Sequence, residues 1–157
     1  MVMLNVAFLY TNASPTLRPI MSQDKHYSLY INCGGKEVTT IDNRITYKVD
    51  LEARGASMFY ARPNWAISST CNFLDDGLES DNYIYTNVSS LQDASELYKT
   101  ARASPMSLTY YGLCLINGKY TVKLHFAEVV FANDGTFNSL GQRLFDVYLQ
   151  VNIAKFI

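Results

Sequence analysis

Leu115-Ile116-Asn117-Gly118-Lys119-Tyr120-Thr121-Val122-Lys123-Leu124-His125-Phe126-Ala127-Glu128-Val129-Val130-Phe131 is the stretch that decides the fold class of this chain. An Asn-Gly pair stands between two runs rich in β-branched and aromatic residues. Such a pair marks a tight hairpin, because both of its residues tolerate the positive φ that the turn demands. The pattern predicts strands over 107–116 and 120–131, joined at Asn117-Gly118. The second arm ends in an apolar run broken by one acid, Glu128.

Working outward, 143–151 alternates, with Phe145, Val147 and Leu149 on one face and Asp146, Tyr148 and Gln150 on the other. Upstream, 26–33 predicts a first strand stopped by Gly34-Gly35, and 45–50 a short alternating one. Residues 51–82 carry Gly55, Pro63, Asn64, Asp75, Asp76 and Gly77, the chemistry of long loops with short extended pieces. A strand fits 83–88, and 97–102 suits another, while 94–99 equally suits a helical turn. Residues 1–26 show no sustained period and read as a leader outside the fold. Short strands, frequent turn signals and no long amphipathic helix predict an all-β antiparallel β-sandwich of two packed layers.

A chain of 157 residues is one domain by size. Its 13 basic and 14 acidic residues nearly cancel, so it lacks the field that nucleic acid or an anionic membrane surface would require. No run approaches the length that spans a bilayer, so no membrane insertion by this chain is expected. Residues 1–10 are apolar but hold no basic residue and include Asn5, which suits an export signal poorly. Asn12-Ala13-Ser14 and Asn87-Val88-Ser89 are glycosylation sequons, which do suit export and make Asn12 and Asn87 candidate acceptors. The 12 tyrosines and 8 phenylalanines support a sheet protein whose surface rings could face polar ligands with apolar sides.

Catalytic and metal patterns are weak. Asn32-Cys33-Gly34-Gly35 lacks the spacing and the Lys-Ser/Thr follow-up of a phosphate loop and reads as a strand-ending turn. Leu74-Asp75-Asp76-Gly77 lacks the remaining ligands of a calcium loop. His26 and His125 have no partner at metal-ligand spacing, so no metal or other cofactor is expected. Glu128 and Asp146 could be posed as paired glycosidase carboxylates. Glu128 follows a hydrophobic strand and Arg143 stands near Asp146, so an ion pair or hydrogen-bonded structural acid is the better reading, with Arg143 the expected partner of Glu128. Neither a nucleophile elbow nor a kinase Gly-rich loop, catalytic Lys or Asp-Phe-Gly segment is present.

The ordered set Leu29-Tyr30-Ile31-Asn32-Cys33-Gly34-Gly35, Phe59-Tyr60, Trp65-Ala66-Ile67-Ser68-Ser69-Thr70, Leu97-Tyr98-Lys99-Thr100-Ala101-Arg102, Phe126-Ala127-Glu128 and Arg143-Leu144-Phe145-Asp146-Val147-Tyr148 resembles a malectin domain. The likeness is to those in the ectodomains of plant leucine-rich-repeat receptor kinases. It implies a jelly-roll-like β-sandwich over 27–150 that binds glucose-type oligosaccharides or cell-wall glycans without catalysis, at the outer side of the plasma membrane. The alternative is a module that binds a peptide or co-receptor and no sugar. The family pattern continues with a Gly turn and further strands, where this chain has 151–157. The expectation is therefore a sandwich incomplete at its C-terminus, with an aberrant tail, an exposed edge and poor folding alone.

The resemblance also suggests site residues. In animal malectins aromatic residues at one end of the sandwich hold a diglucose. Two of those positions fall here on Val130 and Phe131, and a third on Ala103. Stacking one sugar face on one ring removes ~100 Å² of apolar area, roughly 2.5 kcal/mol, against about 4 kcal/mol for millimolar affinity. Phe131 thus needs company, and Tyr60, Trp65, Tyr110, Phe126 and Phe145 are the candidates. Phe126 and Phe145 fall on predicted strands, where core packing competes for them. Cys33 and Cys114 match cysteines of the plant pattern, whereas Cys71 stands where that pattern has Gly, which implies a Cys33–Cys114 disulfide.

Overall fold

The computed structural model describes residues 2–10, 26–41, 44–51, 57–70, 84–86, 96–126, 145–150 and 152–154. These residues form three sheets joined mainly by antiparallel pairings. The large one has seven strands: β1 (Val2–Tyr10), β2 (Leu29–Cys33), β3 (Val38–Thr39), β4 (Thr46–Asp50), β7 (Ile84–Thr86), β8 (Thr100–Ser104) and β10 (Tyr120–His125). Facing it is a three-stranded sheet of β5 (Met58–Ala61), β6 (Trp65–Thr70) and β9 (Ser107–Gly112), in the order β5-β6-β9. A hairpin of β11 (Val147–Leu149) and β12 (Asn152–Ala154) makes the third.

Alternation explains the layering. Leu29, Ile31 and Cys33 project from one face of β2 and meet Trp65 and Ile67 of β6, all 1 % exposed or less. Met58, Tyr60, Leu108, Tyr110, Leu115 and Leu124 complete this core. The opposite face of β2 carries Tyr30, whose ring lies edge-on to that of Tyr47 at 5.5 Å. The short 3₁₀ turn Glu96–Tyr98 brings Leu97 over that pair, forming a second, smaller cluster. The all-β sandwich expected from the sequence is the fold observed.

Three expectations need correction. The Asn117-Gly118 hairpin does not form: β9 pairs with β6 in the small sheet, and β10 pairs with β1 in the large one. Cys114, at φ 57°, bends the chain out of β9, and Leu115 then bridges in parallel to His26. The Asn-Gly pair therefore crosses between layers instead of reversing within one. Residues 2–10 are not a leader outside the fold, since Val2–Tyr10 pairs with β10, β2 and β8. Nor is 152–154 an aberrant tail. Gln150 adopts φ 58° and supplies the left-handed turn expected of a glycine, so Leu149 meets Asn152 in a hairpin. That conformation costs a non-glycine residue about 1–2 kcal/mol, which the pairing offsets.

Two further strands, β5 and β6, arise where the turn residues of 51–82 predicted mostly loop. Both readings of 94–102 are realised in sequence, a helical turn over Glu96–Tyr98 and then strand β8.

One polar cluster spans the sandwich. Asp50 ends β4 fully buried, and Arg102 of β8 is 1 % exposed. Arg102 donates from Nε to Asp50 Oδ2 at 2.7 Å and from Nη2 to Oδ1 at 2.8 Å. The Gly34 amide donates to Oδ2 at 3.2 Å, and the Tyr110 hydroxyl of the facing sheet does so at 2.6 Å. Burial opposes the charge on Arg102, but the Asp50 bonds more than compensate and its pKa rises above the ordinary arginine value. Burial, then Cys33 and Asp50, pushes the Tyr110 phenol well above the usual tyrosine range, so it remains a donor.

Breaking this cluster should be costly. Arg102→Met leaves a carboxylate buried without its counter-charge and should remove about 3–5 kcal/mol of stability in urea denaturation. Tyr110→Phe removes one donor only and should cost about 1–3 kcal/mol. Equal small losses for both would show that Asp50 is not held as an ion pair.

Candidate functional site

The candidate rings separate into two environments. Trp65 is 1 % exposed, and its ring lies 6.1 Å from that of Tyr110 inside the core. Both are corrected as sugar platforms: Trp65 has no open face, and the Tyr110 hydroxyl is committed to Asp50. Tyr60 is half-buried on the same inner side of β5, with the Arg62 guanidinium 5.1 Å above its ring centre. Ala103, where the animal pattern has a tyrosine, is buried in β8 at 1 % exposure.

Phe126 and Phe145 behave differently. They are 36 % and 39 % exposed, and their ring centres lie 5.2 Å apart at 41°. The expected competition from core packing leaves both rings partly open, because Phe126 follows the last residue of β10 and Phe145 precedes β11. Residues far apart in sequence thus form one aromatic patch. Tyr148 of β11, 58 % exposed, is on the same short element that Phe145 leads into. Phe131, Glu128, Arg143, Val130, Cys71, Asn12 and Asn87 lie outside the described residues.

No disulfide joins Cys33 to Cys114. The carbonyl of Cys114 accepts from the amide of His26 at 3.1 Å, three residues before β2 begins. Cys33 closes β2 seven residues beyond His26, on the order of 20 Å further along extended chain. A disulfide needs Cα atoms within roughly 7 Å. The thiol of Cys114 instead lies 3.9 Å from the carbonyl of Pro63.

The Asn32-Cys33-Gly34-Gly35 turn is a packing device. Gly34 has φ 72°, and a Cβ there would stand 2.7 Å from the backbone carbon of Ala101. Only glycine lets β2 end this close to β8. Asn32, 2 % exposed, donates to the Lys36 carbonyl at 2.8 Å and closes the turn from the side chain.

His125 sits beside the Phe126 patch. Its Nδ1 lies 2.9 Å from the Tyr98 hydroxyl, and its Nε2 is buried with no hydrogen-bond partner among the described residues. Burial, then the nearby Lys123, lowers its pKa below the ordinary histidine value. The folded chain therefore binds fewer protons than the unfolded one around and below pH 6.5, and this contribution to stability is lost as pH falls. Wild type should melt at a lower temperature at pH 5.5 than at pH 7.5. His125→Asn should shrink that difference, whereas an unchanged difference would exonerate His125.

Sequence reasoning missed one aromatic pair. Phe59 of β5 and Tyr111 of β9 lie on the outer face of the small sheet, with centres 6.3 Å apart at 63°. The alternation in Met58-Phe59-Tyr60-Ala61 carried the signal, obscured by the turn residues on either side. Among the described residues, no three His, Cys, Asp or Glu side chains group to hold a metal ion. No helix among them is long and apolar enough to cross a membrane.

A two-layer β-sandwich with exposed rings at strand ends is compatible with a carbohydrate-binding type of module, although many unrelated functions share that architecture. Comparison with known proteins agrees. The Malectin domain family matches residues 27–155, and the chain belongs to that family. It is 56 % identical over 131 residues to a "Probable LRR receptor-like serine/threonine-protein kinase" of Arabidopsis thaliana, covering 79 % of this chain and 13 % of the relative. A second Arabidopsis thaliana protein of the same description is 47 % identical over 140 residues, covering 87 % of this chain and 13 % of that one. A third is 36 % identical over 160 residues, covering 96 % and 17 %. The chain thus spans only about an eighth to a sixth of the length of these relatives. No solved structure matches significantly.

Proposed function

We propose that this chain is a non-catalytic glycan-recognition module of a receptor-like kinase ectodomain, acting outside the plasma membrane on glucose-type oligosaccharides or cell-wall glycans. Membership of the malectin family over residues 27–155 is the observation that carries the reading. The geometry supports it through Phe126 and Phe145, two partly exposed rings 5.2 Å apart. Each ring can cover one apolar sugar face, and two together reach the roughly 4 kcal/mol that millimolar binding requires. Phe131, five residues beyond Phe126, is the further ring we assign to this site.

The test is a glycan array followed by calorimetry on the 157-residue chain. A glucan oligomer should bind and be recovered intact. Phe131→Ala, the loss of one stacking ring, should weaken it at least tenfold, and Phe126→Ala with Phe145→Ala, the loss of two, should weaken it at least a hundredfold. Retention of full affinity in folded variants would remove these rings from the site. Binding to a peptide or co-receptor ectodomain with no glycan bound would replace the reading by the protein-interaction one. Turnover of a glucan that is abolished by Glu128→Gln would make the domain an enzyme.

A further inference from the structure

We propose that the outer face of the β5-β6-β9 sheet is a second glycan surface, which takes the flank of an extended, uncharged polysaccharide. This inference rests on the glycan-binding reading above but uses different residues. Cross-strand register places Phe59, Ser68 and Thr109 in one row and Thr70 opposite Ser107 in another. Tyr111, two residues beyond Thr109, shares their face because strand side chains alternate. Their opposite neighbours Tyr60, Ile67 and Tyr110 fill the core.

The chemistry of this face selects its occupant. None of the six residues is a carboxylate or a cation, so nothing there favours an acidic or a basic partner. Phe59 is 70 % exposed and Tyr111 42 %, and the rings meet at 63°. They form an angled step, with faces open for sugar stacking, and not a flat sheet of hydrocarbon. The other four are hydroxyl residues. Ser68 and Tyr111 share one hydrogen bond at 3.1 Å, and Thr70 and Ser107 share one at 2.6 Å. A hydroxyl pair bonded once keeps a donor and several lone pairs. Each pair can therefore bond a sugar hydroxyl without losing its own contact.

Rings flanked by neutral hydroxyls match a sugar's alternation of C–H faces and O–H edges. Protein interfaces are depleted in serine and their hot spots are poor in Ser and Thr, whereas four of these six residues are Ser or Thr. From Ser107 to Tyr111 the face runs on the order of 13 Å along the strand, room for more than one sugar ring.

The experiment uses the 157-residue chain and three probes: a neutral glucan hexasaccharide, the corresponding disaccharide and an acidic oligogalacturonate. Phe59→Ala with Tyr111→Ala should weaken hexasaccharide binding about tenfold, while leaving disaccharide binding unchanged. Phe126→Ala with Phe145→Ala should weaken both. Should the double variant fail to melt cooperatively, Phe59→Ser alone serves, since that side chain is largely in solvent. Hexasaccharide affinity equal to wild type in a folded sheet-face variant, with loss in the Phe126/Phe145 variant, overturns this inference and leaves the proposed function standing. Absence of any glycan binding by the wild type overturns both. Preference for the oligogalacturonate, or self-association that disappears in the sheet-face variant, assigns the face to another occupant and overturns the proposal.

Discussion

A carboxylate with no access to water holds this sandwich in register. Asp50 and Arg102 are each exposed by 1 % or less, and removing two charges from water costs several kcal/mol per ion. That cost is met only if every lone pair and N–H finds a partner. Here Arg102 donates twice to the carboxylate and once more, at 3.1 Å, to the Asp50 carbonyl. Tyr110 and the Gly34 amide complete the shell. The donors come from β8, from β9 in the opposite sheet, and from the turn after β2. A slip of one residue in any of these elements would move a donor to the wrong face. The cluster therefore fixes the relative placement of strands that hydrophobic burial alone would allow to slide.

That register decides which aromatic residues are available. With Tyr110 turned inward to reach Asp50, Trp65 and Tyr60 share its layer and Tyr111 faces out. Phe59 faces out beside it for the same reason. The small sheet thus spends one set of rings on the core and shows another to solvent, and the two sets are neighbours in sequence. Tyr110 and Tyr111 are chemically identical, and only the parity set by the buried ion pair separates their roles.

The sequence made the fold class legible because strands announce themselves by alternation and by turn chemistry. The strand before Gly34-Gly35 and the one before Leu51 are present as read. What could not be read was partnership. Asn117-Gly118 has the composition of a hairpin turn, but a local pattern cannot register that Leu115 is drawn to His26 and the core while β10 is drawn to β1. Tertiary pairing overrode the turn. The same limit applies to 2–10, whose pairing with three other strands is a tertiary property that no local pattern shows. At the candidate site, the Phe126–Phe145 contact links residues that no spacing rule connects. Trp65, attractive by residue type, was removed by burial, and Tyr110 by the commitment of its hydroxyl to Asp50.

The arrangement also bears on how such a module could reach useful affinity. Each ring contributes only roughly 2.5 kcal/mol before the cost of ordering a flexible sugar, and neutral hydroxyls add little in competition with water. A short sugar engaging Phe126 and Phe145 alone, as proposed, would be held near the millimolar threshold. A long polymer differs, because once one segment is bound the next is presented at high effective concentration to any further ring on the same rigid body. The small sheet suits that task, since its inner side is locked to the core and its outer rings need no ordering of loops to become available. If the domain binds glycans as proposed, chain length, more than the identity of the terminal sugar, is the ligand property to which it would respond.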